Sequence, residues 1–166
     1  MSINMVKIGV VSCSGEDCLG GTISRLVTRK MLEIRSDATV TICLPLFLAG
    51  GVEERGFAEK FPTISVDGCS KACAKRATEK YSGKVSAAID VSDFIGKEVA
   101  EAGALSSRNL TDEHKAMVEK VVGEITTRFD EVLRAAQRDQ VAKVAKGLAM
   151  VGNGPSGGCG CGCGPK

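Results

Sequence analysis

The fold is decided by the segment VKIGVVSCSGEDCLGGT, residues 6–22. Its first part, Val6–Ser12, is short, apolar and rich in β-branched residues, which is typical of a strand buried on both faces of a sheet. A glycine-rich loop follows from Cys13, and apolar residues then recur at helical spacing from Ile23 to Ile34. The segment therefore predicts a strand, a tight loop and a helix, which together form the first unit of an α/β fold.

The same alternation continues along the chain. Further strands are predicted at Ala38–Leu44, Thr63–Val66 and Lys84–Asp90. Helices are predicted over Leu46–Lys60, with an interruption at Gly50 and Gly51, and over about Cys69–Tyr81 and Val91–Ala104. A further helix is predicted from Thr111, along an apolar stripe that reaches Ala136. This order predicts a three-layer, open, Rossmann-like parallel sheet of about four strands, flanked by helices.

The chain divides into three parts. Residues 1–106 form the predicted α/β domain, and residues 107–151 form C-terminal helices that pack on it. The last of these helices, Val141–Leu148, is expected to complete the packing. Residues 152–166 are a Gly/Cys-rich tail without core residues, and we expect this tail to be flexible.

Composition excludes several classes of function. A net charge of +2 and only 4% aromatic residues argue against nucleic acid and membrane surfaces as partners. No stretch approaches the ~20 apolar residues of a membrane span, and the chain runs almost directly into its first strand, which leaves no room for a signal peptide. We therefore expect a cytoplasmic protein whose eight cysteines are metal ligands or redox thiols.

Cysteines follow three of the predicted strands. Cys13, Cys43 and Cys69 each lie just after a strand. Cys73 comes four residues after Cys69, so the two are predicted to share one face of a helix, in its first turn. Parallel strands end at the same edge of a sheet, and helix N-termini stabilise thiolates. Four thiols at this edge predict a site for zinc or an iron–sulfur cluster, although each cysteine alone is equally typical of a small core residue.

These residues resemble a known family. Cys13-Ser14-Gly15, Cys43, the triplet Asp67-Gly68-Cys69 and Cys73 are similar to the pattern of the DGC-domain family, which is named for that tripeptide. The resemblance covers about residues 5–95. It implies zinc binding by Cys13, Cys43, Cys69 and Cys73, and it implies no particular reaction.

Three neighbouring features have two interpretations each. Asp67 accepts a hydrogen bond in the turn before a helix, or it supports the metal from the second shell. Cys18, an addition to the family pattern, replaces one ligand or acts as a redox partner of Cys13. The loop from Gly15 to Gly20 has the outline of a phosphate-binding loop but has Gly21 in place of the lysine, so its glycines are expected to serve a tight turn rather than a nucleotide.

The tail carries the remaining thiols. Cys159, Cys161 and Cys163 alternate with glycine, which suits capture of a soft metal or contact with a partner. From Gly152 the chain reaches at most roughly 35–40 Å to Cys163.

The sequence therefore predicts a cysteine-ligated metal-binding protein that acts through another protein, as a metal-handling or regulatory accessory, and not through catalysis. A redox-active thiol enzyme is one alternative. Another is an oxygen- or redox-responsive regulator that docks, through its thiol-rich tail, on an anaerobic metalloenzyme or corrinoid-enzyme complex.

Overall fold

The computed structural model describes residues 5–13 and 15–151, with side chains described as far as residue 146. The strands are β1 (Ile8–Ser12), β2 (Thr39–Val40), β3 (Thr63–Asp67) and β4 (Ala87–Asp90). The helices are α1 (Leu19–Ile34), α2 (Leu44–Ala49), α3 (Val52–Arg55), α4 (Phe57–Lys60), α5 (Cys73–Tyr81), α6 (Ser92–Ile95), α7 (Lys97–Ala100) and α8 (Asp112–Val151).

The four strands form one parallel sheet in the order β2-β1-β3-β4. Val10 of β1 is paired with Ile64 of β3, and Val66 of β3 with Ile89 of β4. All four strands therefore end at one edge, and the predicted α/β sheet is confirmed. We call this the carboxyl edge, and it includes the residues that directly follow β1 and β3.

Helices cover both faces of the sheet. On one face α1 and α8 bury Ile8, Val10, Ile64 and Val66 in the larger core. On the other face α2, α4 and α5 pack over a smaller core that contains Val11 and Cys13. The three predicted layers follow from this alternation, because successive residues of a strand point to opposite faces.

Two element boundaries differ from the sequence prediction. The second strand was predicted over Ala38–Leu44, but β2 is only Thr39–Val40 and α2 already begins at Leu44. Pro45 lies in the first turn of α2, where its missing N–H costs no hydrogen bond, so it starts a helix instead of only ending a strand. The helical segment predicted over Leu46–Lys60 is interrupted at Gly50 and Gly51, as expected, and a second break at Gly56 divides it into three short helices.

The C-terminal region also differs. A separate helix at Val141–Leu148 was expected to complete the packing, but α8 is continuous from Asp112 to Val151. Its first part buries Val121, Ile125 and Phe129 completely against the sheet and α1. Residues 141–146 are all exposed. Nothing in the sequence between Ala136 and Val141 breaks a helix, which explains the continuity.

Among the described residues, no helix is long and apolar enough to cross a membrane.

Candidate metal centre at the carboxyl edge

Cys13 is the innermost thiol of the carboxyl edge. It directly follows β1 and is buried, with 7% of its surface exposed. Its Sγ lies 3.3 Å from Ser24 Oγ of α1, and the Gly68 N–H donates to the same sulfur over 3.3 Å. Burial raises the pKa of the Cys13 thiol, although the contacts with Ser24 and Gly68 oppose this shift. The neutral thiol is therefore the resting form, and ligation of a metal requires its deprotonation.

Ser24 is a site residue that the sequence reasoning missed. Its hydroxyl donates to the Gly21 carbonyl over 2.8 Å, which leaves the oxygen free to accept from Cys13. The sequence feature that could have identified Ser24 is its position among the apolar residues of an amphipathic helix. Such a serine is buried only if a partner satisfies it.

Glycine backbones bring the chain segments of this edge into direct contact. A Cβ on Gly20 would lie 1.9 Å from the Gly68 carbonyl oxygen, and a Cβ on Gly68 would lie 2.3 Å from the Gly21 nitrogen. Gly15, which has a φ of +57°, approaches Gly21 as closely. The first turn of α1 therefore packs against the Asp67-Gly68-Cys69 triplet backbone to backbone, and only a residue without a Cβ at position 68 allows this close approach.

The backbone contact between α1 and the triplet also explains why the loop from Gly15 to Gly20 has the outline of a phosphate-binding loop. The N–H groups of Gly21 and Thr22 donate to the Cys18 carbonyl, and the Leu19 N–H donates to the Ala102 carbonyl. These amides at the start of α1 are already satisfied within the protein. The glycines thus serve the tight packing of the loop, as the sequence predicted.

Cys18 lies beside Cys69. The side chain of Cys69 interacts with the Cys18 thiol and raises its pKa, although burial is the larger cause and the Gly21 N–H lowers the pKa. Lys71 Nζ lies 3.9 Å from a carboxylate oxygen of Asp17, which joins the same two segments at the surface. Cys18 is therefore part of the thiol group at this edge, and Cys13 is close enough to be affected electrostatically by it.

Cys43 and Cys73 occupy the starts of two helices on the opposite face of the sheet from α1. Cys43 is the N-cap residue of α2, and Cys73 is the first residue of α5; both are exposed. The prediction that Cys69 and Cys73 share one helical face is wrong. Residues 69–72 form a turn, which is closed by a hydrogen bond from the Ala72 N–H to the Cys69 carbonyl, and Ala72 has a left-handed φ of +48°.

Asp67 holds α5 in place. Its carboxylate accepts from the backbone N–H groups of Ala74 over 2.6 Å and Lys75 over 3.1 Å. Burial raises the pKa of Asp67, and these two hydrogen bonds oppose the shift. Of the two predicted roles, the structure supports the local one: Asp67 satisfies the free amides at the start of a helix whose N-cap residue, Ala72, has no capping side chain.

The side chains at the carboxyl edge are of the kind that bind soft metals. The donors at the carboxyl edge are thiols, which suit zinc and iron–sulfur clusters, and the one histidine, His114, is engaged with Thr111 instead. Within residues 5–13 and 15–151, no group of three or more Cys, His, Asp or Glu side chains is placed to hold a metal ion. The ligand chemistry therefore fits, whereas a complete coordination shell requires movement of the thiols. The predictions for Cys159, Cys161 and Cys163 lie outside the described residues.

Comparison with known proteins places this edge in a family. No curated protein and no solved structure matches the chain. The family model of the DGC domain matches residues 9–125, which extends beyond the 5–95 expected from the motif and includes α8 as far as Ile125. The match includes Cys13, Cys18, Cys43 and the Asp67–Cys73 element. The chain therefore belongs to the DGC-domain family.

Proposed function

We propose that this protein binds a metal ion through cysteine thiolates at the carboxyl edge of the sheet, and that the metal is zinc. Two observations support the proposal: the Gly68 N–H donates to the Cys13 sulfur, and Cys18 interacts with Cys69 across the segments that meet at the Gly20–Gly68 backbone contact. Such a concentration of soft donors is unusual in a chain of ordinary composition, and it suits tetrahedral zinc better than a hard cation.

The ligand set in this proposal is drawn from five thiols. Cys13 and Cys69 supply two, and Cys43 and Cys73 approach from the starts of α2 and α5. Cys18 is the further candidate, because its side chain already interacts with Cys69. Metal binding supplies the free energy that deprotonates these thiols and draws them together.

We further propose that the protein is a cytoplasmic accessory that handles metal or regulates a partner. Apart from the thiols, the groups identified at this edge have structural roles: Asp67 caps α5 and Ser24 bonds to Cys13. Three more thiols in the tail, Cys159, Cys161 and Cys163, provide a means of passing a soft metal to another protein.

The test is anaerobic purification of the full chain, followed by metal analysis and an absorption spectrum. We expect one zinc per chain and no visible band. A visible charge-transfer band together with bound iron would replace zinc by an iron–sulfur cluster. A protein that stays free of metal after incubation with either would contradict the proposal.

Variants then identify the ligands. Cys69→Ser and Cys13→Ser are expected to lower zinc affinity at least tenfold, because each removes one thiolate while the neighbouring backbone is unchanged. A triple Cys159→Ser, Cys161→Ser, Cys163→Ser variant is the matched control, and we expect it to retain the zinc of the carboxyl edge. Loss of zinc in the triple variant alone would move the site to the tail.

A second candidate function is favoured by one contact. The interaction of Cys18 with Cys69 is typical of a pair that can form a disulfide, with two thiols oxidised while oxidised glutathione is reduced to two glutathione molecules. Mass spectrometry of the metal-free protein after titration with oxidised glutathione tests this. A Cys18–Cys69 disulfide would support redox activity, whereas glutathione adducts on separate cysteines would contradict it.

A further inference from the structure

The second half of α8 extends beyond the body of the protein. A helix of 40 residues is about 60 Å long, and the apolar stripe that packs on the sheet ends at Ala136. The same stripe would continue at Gln140 and Lys143, which are polar. The face of α8 toward the body therefore becomes polar beyond Ala136, where Gln140 and Lys143 line a cavity of about 480 Å³ together with Lys7 and Lys60.

A different apolar face begins at this point. Val141 and Val144 are 70% and 59% exposed, and they lie roughly a quarter turn around the helix from Phe129 and Ala136. Large apolar side chains three residues apart on a helix are typical of contact with another surface, and here nothing in the described part of the chain covers them.

Basic side chains flank these two valines. Arg134 and Arg138 lie on one side of them, and Lys143 lies on the other side, toward Lys7 and Lys60 of the body. Arg138 and Val141 line a shallow concavity of about 450 Å³. Among the residues that the structure describes, these three basic groups make no ion pair, whereas Arg128 is paired with Glu124 and Glu131. We call Arg134, Arg138, Val141, Lys143 and Val144 the basic–apolar face.

The positive charge of the basic–apolar face indicates which kind of surface can bind there. Asp139 is the one carboxylate between residues 132 and 146, and it lies on nearly the opposite side of the helix. A second copy of α8 on the same face would bring arginine and lysine against arginine and lysine, which is unfavourable. A surface with apolar residues between carboxylates would instead satisfy both parts of the face.

We infer that the basic–apolar face is a docking site for an acidic amphipathic helix of another protein. Val141 and Val144 supply the apolar contact, and Arg134, Arg138 and Lys143 pair with glutamates or aspartates on either side of the incoming helix. The inference specifies the partner that the proposed function requires, but it does not depend on the metal site. Docking here would bring the tail that follows Val151, with its three cysteines, to the partner.

The probe is a fluorescent helical peptide of about 20 residues with leucines at i, i+3, i+4 and i+7 and glutamates on both flanks. Its matched control has lysines in place of the glutamates. We expect the acidic peptide to bind the full chain at least tenfold more tightly than the basic peptide, and salt to weaken this binding. Equal binding of the two peptides, or binding of neither, would overturn the inference.

Two variants assign the binding to this face. Val141→Gln with Val144→Gln is expected to weaken acidic-peptide binding at least tenfold without unfolding the protein, because both side chains are exposed. Arg138→Glu with Lys143→Glu should transfer the preference to the basic peptide. Unchanged binding in either variant would contradict the inference, as would a dimer that the valine variant dissociates, since a second copy would then be the occupant.

Zinc content separates the two proposals. We expect both α8 variants to keep their zinc, and Cys69→Ser to lose zinc while still binding the acidic peptide. Each proposal can therefore fail without the other.

Discussion

The carboxyl edge of the sheet and the second half of α8 differ in how tightly their residues are packed. At the edge, Gly20 and Gly68 are in backbone contact, and no side chain fits between them. Between Ala136 and Lys146, where the description of side chains ends, α8 has the exposed valines Val141 and Val144 and basic residues that make no ion pair with any described residue. The family motif is therefore surrounded by tight backbone packing, whereas α8 beyond Ala136, which lies outside the family match at residues 9–125, presents exposed side chains such as Val141 and Val144.

The largest effect on the free energy of unfolding is expected when a methyl group is added to Gly20 at the carboxyl edge. Gly20→Ala would place a carbon 1.9 Å from the Gly68 carbonyl oxygen, so the backbone of α1 or of the triplet must shift. We expect a loss of at least about 4 kcal/mol in the free energy of unfolding, or failure to fold. Urea denaturation measures this.

Gly123→Ala is the control for that prediction. Gly123 lies inside α8, and apart from the adjoining helix backbone, no atom of the described residues lies within 4 Å of a Cβ placed there. The same substitution should stabilise the protein by about 0.5–1 kcal/mol, because alanine favours a helix. Equal effects of the two substitutions would show that the edge is less tightly packed than described.

The next prediction compares how truncation of two valines of α8 changes the free energy of unfolding. Val121 is fully buried, and Val121→Ala is expected to cost about 2 kcal/mol from lost burial and a small cavity. Val144 is 59% exposed, and Val144→Ala should change the free energy of unfolding by less than about 0.5 kcal/mol. A cost at Val144 similar to that at Val121 would mean that the projecting part of α8 is covered in the isolated protein.

A smaller effect is expected from the cap of α5. Asp67→Asn keeps one oxygen for the Ala74 N–H but turns an amide group toward the Lys75 N–H. The loss of one buried acceptor should cost about 1–2 kcal/mol. Thermal unfolding checks this, and an unchanged midpoint would show that the carboxylate does not stabilise the helix start.

The last prediction concerns the reactivity of the cysteine thiols and not the stability of the protein. Cys13 is buried and its pKa is raised, whereas Cys43 and Cys73 are exposed. In the metal-free protein, iodoacetamide should therefore alkylate Cys43 and Cys73 at least about tenfold faster than Cys13. Mass spectrometry over time measures the three rates, and equal rates would show that Cys13 is accessible.

Much of the fold could be predicted because it depends on local patterns. The β-branched run before Cys13 and the apolar period of α1 define a strand and a helix without knowledge of their neighbours. The same reasoning failed at β2 and Pro45, where strand and helix signals overlap in a short apolar run. It also failed for residues 69–72, which form a turn and not the first turn of α5, because the carboxylate of Asp67 and not the N-cap residue Ala72 accepts from the amides at the start of that helix.

The candidate site was predictable only as a set of residues at one edge. Strand ends alone placed Cys13 and Cys69 there, but spacing along the chain does not show that Cys18 lies beside Cys69. That neighbourhood depends on the contact of Gly20 and Gly21 with Gly68, which joins segments nearly fifty residues apart.

The sequence by itself determined the parallel sheet, the cysteines that follow its strands and the family to which the chain belongs. Hydrophobic periodicity and strand direction are local properties, so they can be read from the chain. Only the tertiary structure decided which thiols are neighbours, why the glycines are needed and where α8 leaves the body. These depend on contacts between segments distant in sequence, whose close packing no local pattern records.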